Sequence, residues 1–201
     1  MRAAEWKSIE HGIHAGRDLE LSLFGEANIS DPNYKRALAD KIQIREGGRY
    51  VDFKDSVELA KRFQSSDPTN PNKDFLRELR LAIVDQLNLA PDTSDSVKVY
   101  TAVNTPLDKF HGVDGFATYQ SSGGEILITM DVTANPEKVM RGAKAQVIIG
   151  EVADPRENEE EYLREIDKYA GEIIERIHDE LERRNRMRKA PPRFEEEAQF
   201  S

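Results

Sequence analysis

Residues 113–131 read Val113-Asp-Gly-Phe-Ala-Thr-Tyr-Gln-Ser-Ser-Gly-Gly-Glu-Ile-Leu-Ile-Thr-Met-Asp131, and this stretch decides the fold. Two runs rich in β-branched and aromatic residues flank a Ser-Ser-Gly-Gly turn, which predicts an antiparallel β-hairpin. If the centre of the turn lies at Ser122 and Gly123, Asp114 faces Asp131 on the neighbouring strand. A loop one residue shorter or longer would place the two aspartates on opposite faces of the sheet.

Two carboxylates that face each other in this way repel, because directly opposed side chains have Cβ atoms roughly 4.5 to 5.5 Å apart. The repulsion is offset if one carboxyl group is protonated or if a cation lies between the two. A divalent ion such as Mg²⁺ is commonly bound by carboxylates, a backbone carbonyl and water. The alternative is structural: Asp114 serves the Val-Asp-Gly turn, and Asp131 ends its strand while Thr133 and Asn135 shape the start of a helix.

Outward from the hairpin, the pattern is typical of a mixed fold. Apolar residues recur at helical spacing over 74–88, and a strand-like run follows over 97–103. After the hairpin, Asn135-Pro136 predicts a helical turn in the connection to a further strand over 145–150. We therefore expect an α/β (α+β) fold with a mixed central sheet of about four strands. An antiparallel meander plus a crossover strand would form this sheet, flanked by helices.

The first third of the chain, residues 1–65, is expected to be an accessory segment. A helical pattern ends at Gly25, and Asp31-Pro32 reads as a turn. Alternating apolar residues on both sides of a Gly-Gly pair predict a hairpin, and Asp55 is the expected N-cap of the short helix after it. A run of turn-forming residues over 65–72 marks the boundary of this segment.

The second part, residues 66–181, is the expected core, and residues 182–201 are expected to be a basic helix end and a mobile acidic tail. A helix is predicted from Glu159 to about Lys189. Its apolar stripe consists of Leu163, Ile166, Ala170, Ile173, Ile174, Ile177 and Leu181. Such a stripe usually covers a sheet, and the alternative is a seam between two copies of the chain.

The end of this helix is the one strongly basic stretch of the chain. The cations are Arg183, Arg184, Arg186, Arg188 and Lys189. They are suited to contact phosphate, although cations are also favoured at the C-terminus of any helix by the helix dipole.

Composition excludes several classes of protein. The chain has 201 residues, of which 38% are hydrophobic and 33% charged, a net charge of -9 and no cysteine. Disulfide scaffolds and Cys-bearing zinc sites are therefore excluded, and a metal would be held by oxygen or imidazole ligands. The acidic balance argues against a large passive nucleic-acid surface. The first residues are charged and no long apolar run follows, so we expect a cytoplasmic protein without a membrane partner.

Residues 74 to about 175 contain a helix, then a meander bearing two aspartates, then a crossover to a further strand. This order resembles the core of the PD-(D/E)XK nuclease-like superfamily, which has the restriction-endonuclease-like fold. The resemblance implies that Asp114 and Asp131 bind one or two Mg²⁺ or Mn²⁺ ions, with the Val132 carbonyl as a further ligand. Glu78 loosely matches the acidic residue often found on the first helix of that core. The superfamily places a lysine two residues after the second acidic residue, but this chain has Thr133 there.

The nearest lysines downstream, Lys138 and Lys144, are the candidates to replace it, and we expect Lys138 to take the catalytic role. The implied function is a magnesium-dependent nuclease that hydrolyses phosphodiesters of nucleic acid, with DNA as the expected substrate. Lys144 and three arginines of the basic helix end, Arg183, Arg184 and Arg186, are the candidate nucleic-acid contacts. The alternative is a non-catalytic interaction or dimerisation protein of the same fold that uses its long C-terminal helix.

Overall fold

The structure is a computed structural model that describes residues 16–133, 144–150 and 152–189. In chain order the helices are α1 (residues 16–23), α2 (Pro32–Lys41), α3 (Phe53–Arg62), α4 (Asp74–Gln86), α5 (Pro106–His111) and α6 (Glu159–Lys189). The strands are β1 (Gln43–Arg45), β2 (Gly48–Tyr50), β3 (Val97–Thr101), β4 (Gly115–Ser121), β5 (Gly124–Val132) and β6 (Val147–Ile149). A 3-10 turn at Ser94–Ser96 precedes β3.

The main sheet has the strand order β3-β4-β5-β6. Strands β3, β4 and β5 form an antiparallel meander, and β6 runs parallel to β5. A parallel neighbour requires a crossover connection, and the chain supplies one between residues 132 and 147. The prediction of a mixed four-stranded sheet flanked by helices is therefore confirmed. The expected helical turn at Asn135-Pro136 lies outside the described residues.

The β4–β5 hairpin has the register that the sequence predicts. Phe116 is paired with Thr129, and Ser121 is paired with Gly124 at the end of the ladder. Gly124 has a positive φ of 101°, a conformation that glycine adopts without steric cost. The Ser121 hydroxyl donates to the Gly124 carbonyl over 2.8 Å and closes the turn.

One face of the sheet is covered by α4 and α6, which also pack against each other. The α6 side chains on this face recur at helical spacing, and the buried ones are Tyr162, Ile166, Tyr169, Ala170, Ile173, Ile174 and Ile177. They are buried within a single chain, so this stripe covers the sheet. Leu163 is 44% exposed, contrary to the prediction, because Tyr162 occupies the buried side of α6 in this turn of the helix.

The other face of the sheet is covered by α3 and α5. Tyr100 of β3 stacks on Phe116 of β4 with ring centroids 4.7 Å apart and an interplanar angle of 13°. Ala60 of α3 and Leu107 of α5 complete this smaller apolar cluster. The chain before residue 65 therefore takes part in covering the sheet, and the predicted boundary at residue 65 stays a prediction.

Two local interpretations of this N-terminal part were wrong. Asp31-Pro32 begins α2, because the Asp31 carboxylate accepts a hydrogen bond from the Asn33 N–H (2.7 Å) and Pro32 occupies the first helical position. The short helix after the hairpin is capped by Asp52, whose carboxylate accepts from the Asp55 N–H over 3.0 Å, and it begins at Phe53. The β1–β2 hairpin itself is confirmed.

Three further expectations concern the ends and connections of the chain. Within the described residues, no helix has the length and apolar character needed to cross a membrane. The predicted tail beyond residue 189 lies outside the described residues, and so does Lys138. The predicted long helix from Glu159 to Lys189 is confirmed.

Candidate functional site

The hairpin brings Asp114 and Asp131 together at one end of the sheet. Asp114 directly precedes β4, and its N–H donates to the Met130 carbonyl of β5 over 2.9 Å. Asp131 lies near the end of β5, between β4 and β6. Both side chains are 3% exposed. Two carboxyl groups from neighbouring segments of the sheet are therefore buried in contact with each other. The predicted turn implies only that they face each other.

The orientation of the Asp114 carboxyl group is fixed by the backbone. The Val132 N–H donates to Asp114 Oδ2 over 2.8 Å, and the Ala102 N–H donates to the Asp114 carbonyl over 2.7 Å. Since the N–H and C=O of a strand residue point towards the same neighbouring strand, the Val132 carbonyl lies on the edge of β5 that faces Asp114. Its assignment as a metal ligand stays a prediction.

Burial controls the charge of this pair. Desolvation raises the pKa of Asp114 to about 8, against the opposing effect of the hydrogen bond from the Val132 N–H. The charges of Glu20 and Asp131 raise the pKa further, as does a hydrogen bond that protonated Asp114 donates to the Asp131 carboxylate. Without a cation, the raised pKa therefore favours the protonated form of Asp114 at neutral pH. This is the first of the two ways to offset the repulsion.

The acidic neighbour Glu20 belongs to α1 and was not predicted. Gly115 explains its position, because a Cβ atom at Gly115 would overlap the ring of Phe24. The missing side chain lets Phe24 pack against β4, with its ring centroid 5.8 Å from that of Phe75, and so holds the end of α1 beside Asp114. Arg17 contacts Glu20 (3.3 Å), which links it to the same group of charges. The sequence shows the helix but not its long-range packing.

Glu78, the acidic residue predicted on the first core helix, lies elsewhere. Its carboxylate is 3.5 Å from the Arg77 guanidinium, and it lines a recess between α4 and the start of α6 together with Tyr162. Its charge raises the pKa of Tyr162, after the larger effect of burial. The structure therefore does not bring Glu78 to the two aspartates, whereas Glu20 lies beside them.

The position of the expected lysine is occupied by Thr133. Thr133 is 8% exposed, and its N–H donates to the Ile149 carbonyl of β6 over 2.8 Å. Lys138 lies outside the described residues, so its predicted catalytic role stays a prediction. Lys144 is exposed beside the start of β6.

The three predicted arginine contacts differ in their surroundings. Arg183 and Arg184 both donate to the Glu180 carboxylate, with Nε–O distances of 2.7 Å, and lower the pKa of Glu180 to about 2. Arg184 also donates to the carbonyls of Gly123 (3.3 Å) and Glu125 (2.9 Å) at the hairpin turn. Arg186 is exposed. The end of α6 is therefore attached to the hairpin in part by side chains that were predicted to contact phosphate.

The donor set at the aspartates suits a hard divalent cation. Carboxylate and carbonyl oxygens are the ligands that Mg²⁺ prefers, and Mg²⁺ usually keeps several water ligands. Within residues 16–133, 144–150 and 152–189, no group of three or more histidine, aspartate or glutamate side chains is arranged to hold a metal. An ion bound here would therefore have two protein carboxylates, with water or substrate oxygens completing its coordination.

Comparison with models of protein families, with curated proteins and with solved structures found no match to this chain. The superfamily resemblance therefore rests on the order of the elements and on the two aspartates, and it stays a prediction.

Proposed function

We propose that the protein is a magnesium- or manganese-dependent nuclease that hydrolyses phosphodiester bonds of nucleic acid, with DNA as the expected substrate. One observation carries the proposal: Asp114, directly before β4, and Asp131, on β5, lie in contact and are each 3% exposed. Burying two carboxyl groups against each other costs free energy that a core of apolar side chains would not incur. A bound divalent cation would offset this cost, and paired carboxylates are suited to hold one.

The topology supports the same proposal. The chain runs from α4 through an antiparallel meander of β3, β4 and β5, and then crosses over to the parallel strand β6. This is the order that the resemblance to the PD-(D/E)XK nuclease-like superfamily implies, with Asp114 at the second core strand and Asp131 on the third.

The chain's own residues have distinct roles in this proposal. Asp114 and Asp131 hold the ion, and the Val132 N–H keeps the Asp114 carboxylate in one orientation. When bound, the metal ion polarises the phosphate and lowers the pKa of a coordinated water molecule. Asp114 must lose its proton to bind the ion, so metal and proton compete for the same carboxylate. The negative charge of Glu20 beside Asp114 favours the cation.

The lysine of the superfamily pattern has no counterpart at Thr133, so we propose Lys138 as the group that stabilises the attacking or phosphoryl oxygen. Removing a single donor of this kind costs roughly 10² to 10³ in rate. Lys138→Ala should therefore retain weak metal-dependent cleavage. Thr133→Lys, which restores the spacing of the pattern, should preserve or raise the activity.

The experiment is a cleavage assay with end-labelled single-stranded, double-stranded and branched DNA and RNA in Mg²⁺ or Mn²⁺. Asp114→Asn and Asp131→Asn keep the side-chain shape and should each abolish cleavage. The double variant should be no worse than either single variant, because both residues act through one metal. Asp85→Asn, at an exposed position of α4, is the matched control and should retain full activity.

Cleavage that persists in purified Asp114→Asn and Asp131→Asn proteins would exclude this active site. If folded wild-type protein cleaves none of the substrates with either metal, the nuclease proposal is wrong. The non-catalytic interaction protein would then be the better interpretation. Since the apolar stripe of α6 is buried within one chain, such a protein would have to use a different surface.

A further inference from the structure

The face of the sheet that carries Asp131 also contains a recess of about 670 Å³. Its walls come from the start of α3, from β5, from the residues before β6 and from the second half of α6. Leu127 and Thr129 of β5 line it, and alternate residues of a strand share a face. Asp131 therefore follows on the same face, about 7 Å beyond Thr129 at 3.2 to 3.4 Å per residue.

An exposed aromatic ring forms one wall of this recess. Phe53, the first residue of α3, is 43% exposed, which is unusual for so large an apolar side chain. Its ring meets His111 edge-on, with centroids 5.4 Å apart and an interplanar angle of 90°. His111 is held in turn by the Val51 carbonyl, 3.0 Å from its Nε2 atom, and by the ring of Tyr50. Phe53 is therefore a partly exposed aromatic ring that is supported by its neighbours at the wall of the recess.

The recess also offers a fixed hydrogen-bond donor. The Gln146 side-chain oxygen accepts from the Thr129 N–H (3.0 Å) and lies 3.3 Å from the Thr129 hydroxyl. These contacts of the oxygen fix the orientation of the Gln146 amide group. Its nitrogen donates to no residue in the described part of the chain. An amide presented in this way can donate to the carbonyl or ring nitrogen of a base.

The charge of the recess is positive, in contrast to the net charge of -9 of the whole chain. Its two carboxylates are already paired, Glu125 with Lys61 and Glu180 with two arginines. Lys144 lines the recess and makes no ion pair with any described residue, and Lys54 lies in the first turn of α3. The cations therefore exceed the anions, which favours a phosphate-bearing ligand.

We propose that this recess binds an unpaired nucleic-acid strand, with one base stacked on Phe53 and the backbone phosphates near Lys54 and Lys144. The inference deepens the proposed function and rests on it, because it assigns the substrate class to that site: strands with at least one unpaired base. Stacking on aromatic rings combined with a positively charged groove is the general means by which proteins bind single strands. A duplex, whose bases are already stacked and paired, cannot place a base in the recess without unpairing it.

The test is fluorescence anisotropy with a labelled oligothymidylate of about 12 nucleotides, in EDTA at low salt, so that binding is measured without cleavage. The wild type should bind this strand about ten-fold or more tightly than a duplex or an abasic strand of the same length. An oligouridylate arm shows whether the strand is DNA or RNA. Equal affinity for the abasic strand, or no binding to any strand, would overturn the inference.

Single variants locate the binding. Phe53→Ala should weaken binding about 5- to 150-fold, which is the range for loss of one base–aromatic stack. Phe53→Tyr keeps an aromatic ring at this position and should retain the wild-type affinity. Lys144→Gln should weaken binding for every sequence and should lower the slope of log affinity against log salt concentration by about one. Leu163→Ala, at a similarly exposed apolar residue, and Lys35→Gln, at an exposed lysine of α2, are the matched controls and should bind as the wild type does.

The two proposals fail in different ways. If the strand binds and depends on Phe53 but no substrate is cleaved with metal, the nuclease proposal is wrong and the recess is confirmed. If cleavage requires Asp114 and Asp131 but Phe53→Ala leaves binding unchanged, the recess is wrong and the nuclease site stands.

Discussion

The two faces of the main sheet use the same strands but bury different chemistry. The face under α4 and α6 buries apolar side chains such as Val99, Ala117 and Ile128. The face under α3 and α5 buries Thr129 and Asp131 beside its small aromatic cluster. Apolar burial stabilises the fold, whereas a buried carboxyl pair costs stability. The difference indicates that the first face stabilises the fold, whereas the carboxyl pair on the second face carries a cost in stability that the proposed metal site would offset.

The apolar face should give the largest effect on stability. Ile173 of α6 is fully buried, so Ile173→Ala should lower the free energy of unfolding by about 2 to 5 kcal/mol through the cavity it leaves. Urea denaturation followed by circular dichroism measures this change. Leu163→Ala, on the exposed side of the same helix, should change stability by less than about 0.5 kcal/mol.

The same experiment separates a sheet-covering stripe from a seam between chains. If the stripe covers the sheet, the unfolding midpoint of the wild type is independent of protein concentration. A midpoint that rises with concentration, together with a dimer in sedimentation, would contradict the intramolecular packing of α6.

The buried carboxyl pair on the face under α3 and α5 should make the stability of the protein depend on pH. The pKa of Asp114 is raised from 3.8 in the unfolded chain to about 8 in the folded protein. From about pH 4 to about pH 8 the folded state therefore holds a proton that the unfolded state releases. This contribution to stability is fully present below about pH 4 and is lost as the pH rises through 8, by up to about 1.4 kcal/mol per pH unit.

Asp114→Asn should remove this slope. In EDTA, the wild type should therefore lose stability relative to Asp114→Asn as the pH rises from 5 to 8. Asp85→Asn should retain the wild-type slope. Parallel pH profiles for wild type and Asp114→Asn would show that Asp114 titrates normally and that the pair is not desolvated.

The smallest expected effect concerns the attachment of α6 to the hairpin. Arg184→Ala removes hydrogen bonds to the Gly123 and Glu125 carbonyls and one of two arginine contacts to Glu180. Hydrogen bonds of partly exposed groups contribute modestly, so a loss of about 1 kcal/mol is expected in thermal or urea denaturation. Arg176→Ala, at an exposed residue of the same helix, should be nearly neutral. A loss no greater than that of Arg176→Ala would return Arg184 to the candidate phosphate contacts.

Local sequence signals predicted the half of the site that lies within one hairpin. The Ser-Ser-Gly-Gly turn sets the register, and the register places Asp114 and Asp131 together. The predicted meander and crossover strand followed from the spacing of the apolar runs and from the length of the connection before β6. These features depend on residues close in sequence, where turn chemistry and periodicity carry the information.

The contribution of α1 could not be predicted in the same way. The charge of Glu20 acts on Asp114 because Phe24 packs where Gly115 has no side chain, a contact between residues about ninety positions apart. Periodicity gives no information about such packing, and the resemblance pointed to Glu78 because that residue lies on the first core helix. The start of α2 was missed for a different reason, since Asp31-Pro32 fits a turn and a helix N-terminus equally well.

Titration of metal-free protein with Mn²⁺ in a calorimeter measures directly whether the Asp114–Asp131 pair binds a divalent cation. The wild type should bind at this pair, and saturating Mn²⁺ should raise its melting temperature, because a ligand bound only by the folded state adds about 2.7 kcal/mol at a hundred-fold excess over Kd. Asp131→Asn should lose both the binding and the thermal shift, and Asp85→Asn should keep both. Wild-type protein that neither binds nor is stabilised by millimolar Mn²⁺, or an Asp131→Asn variant that responds as the wild type does, would contradict the metal site.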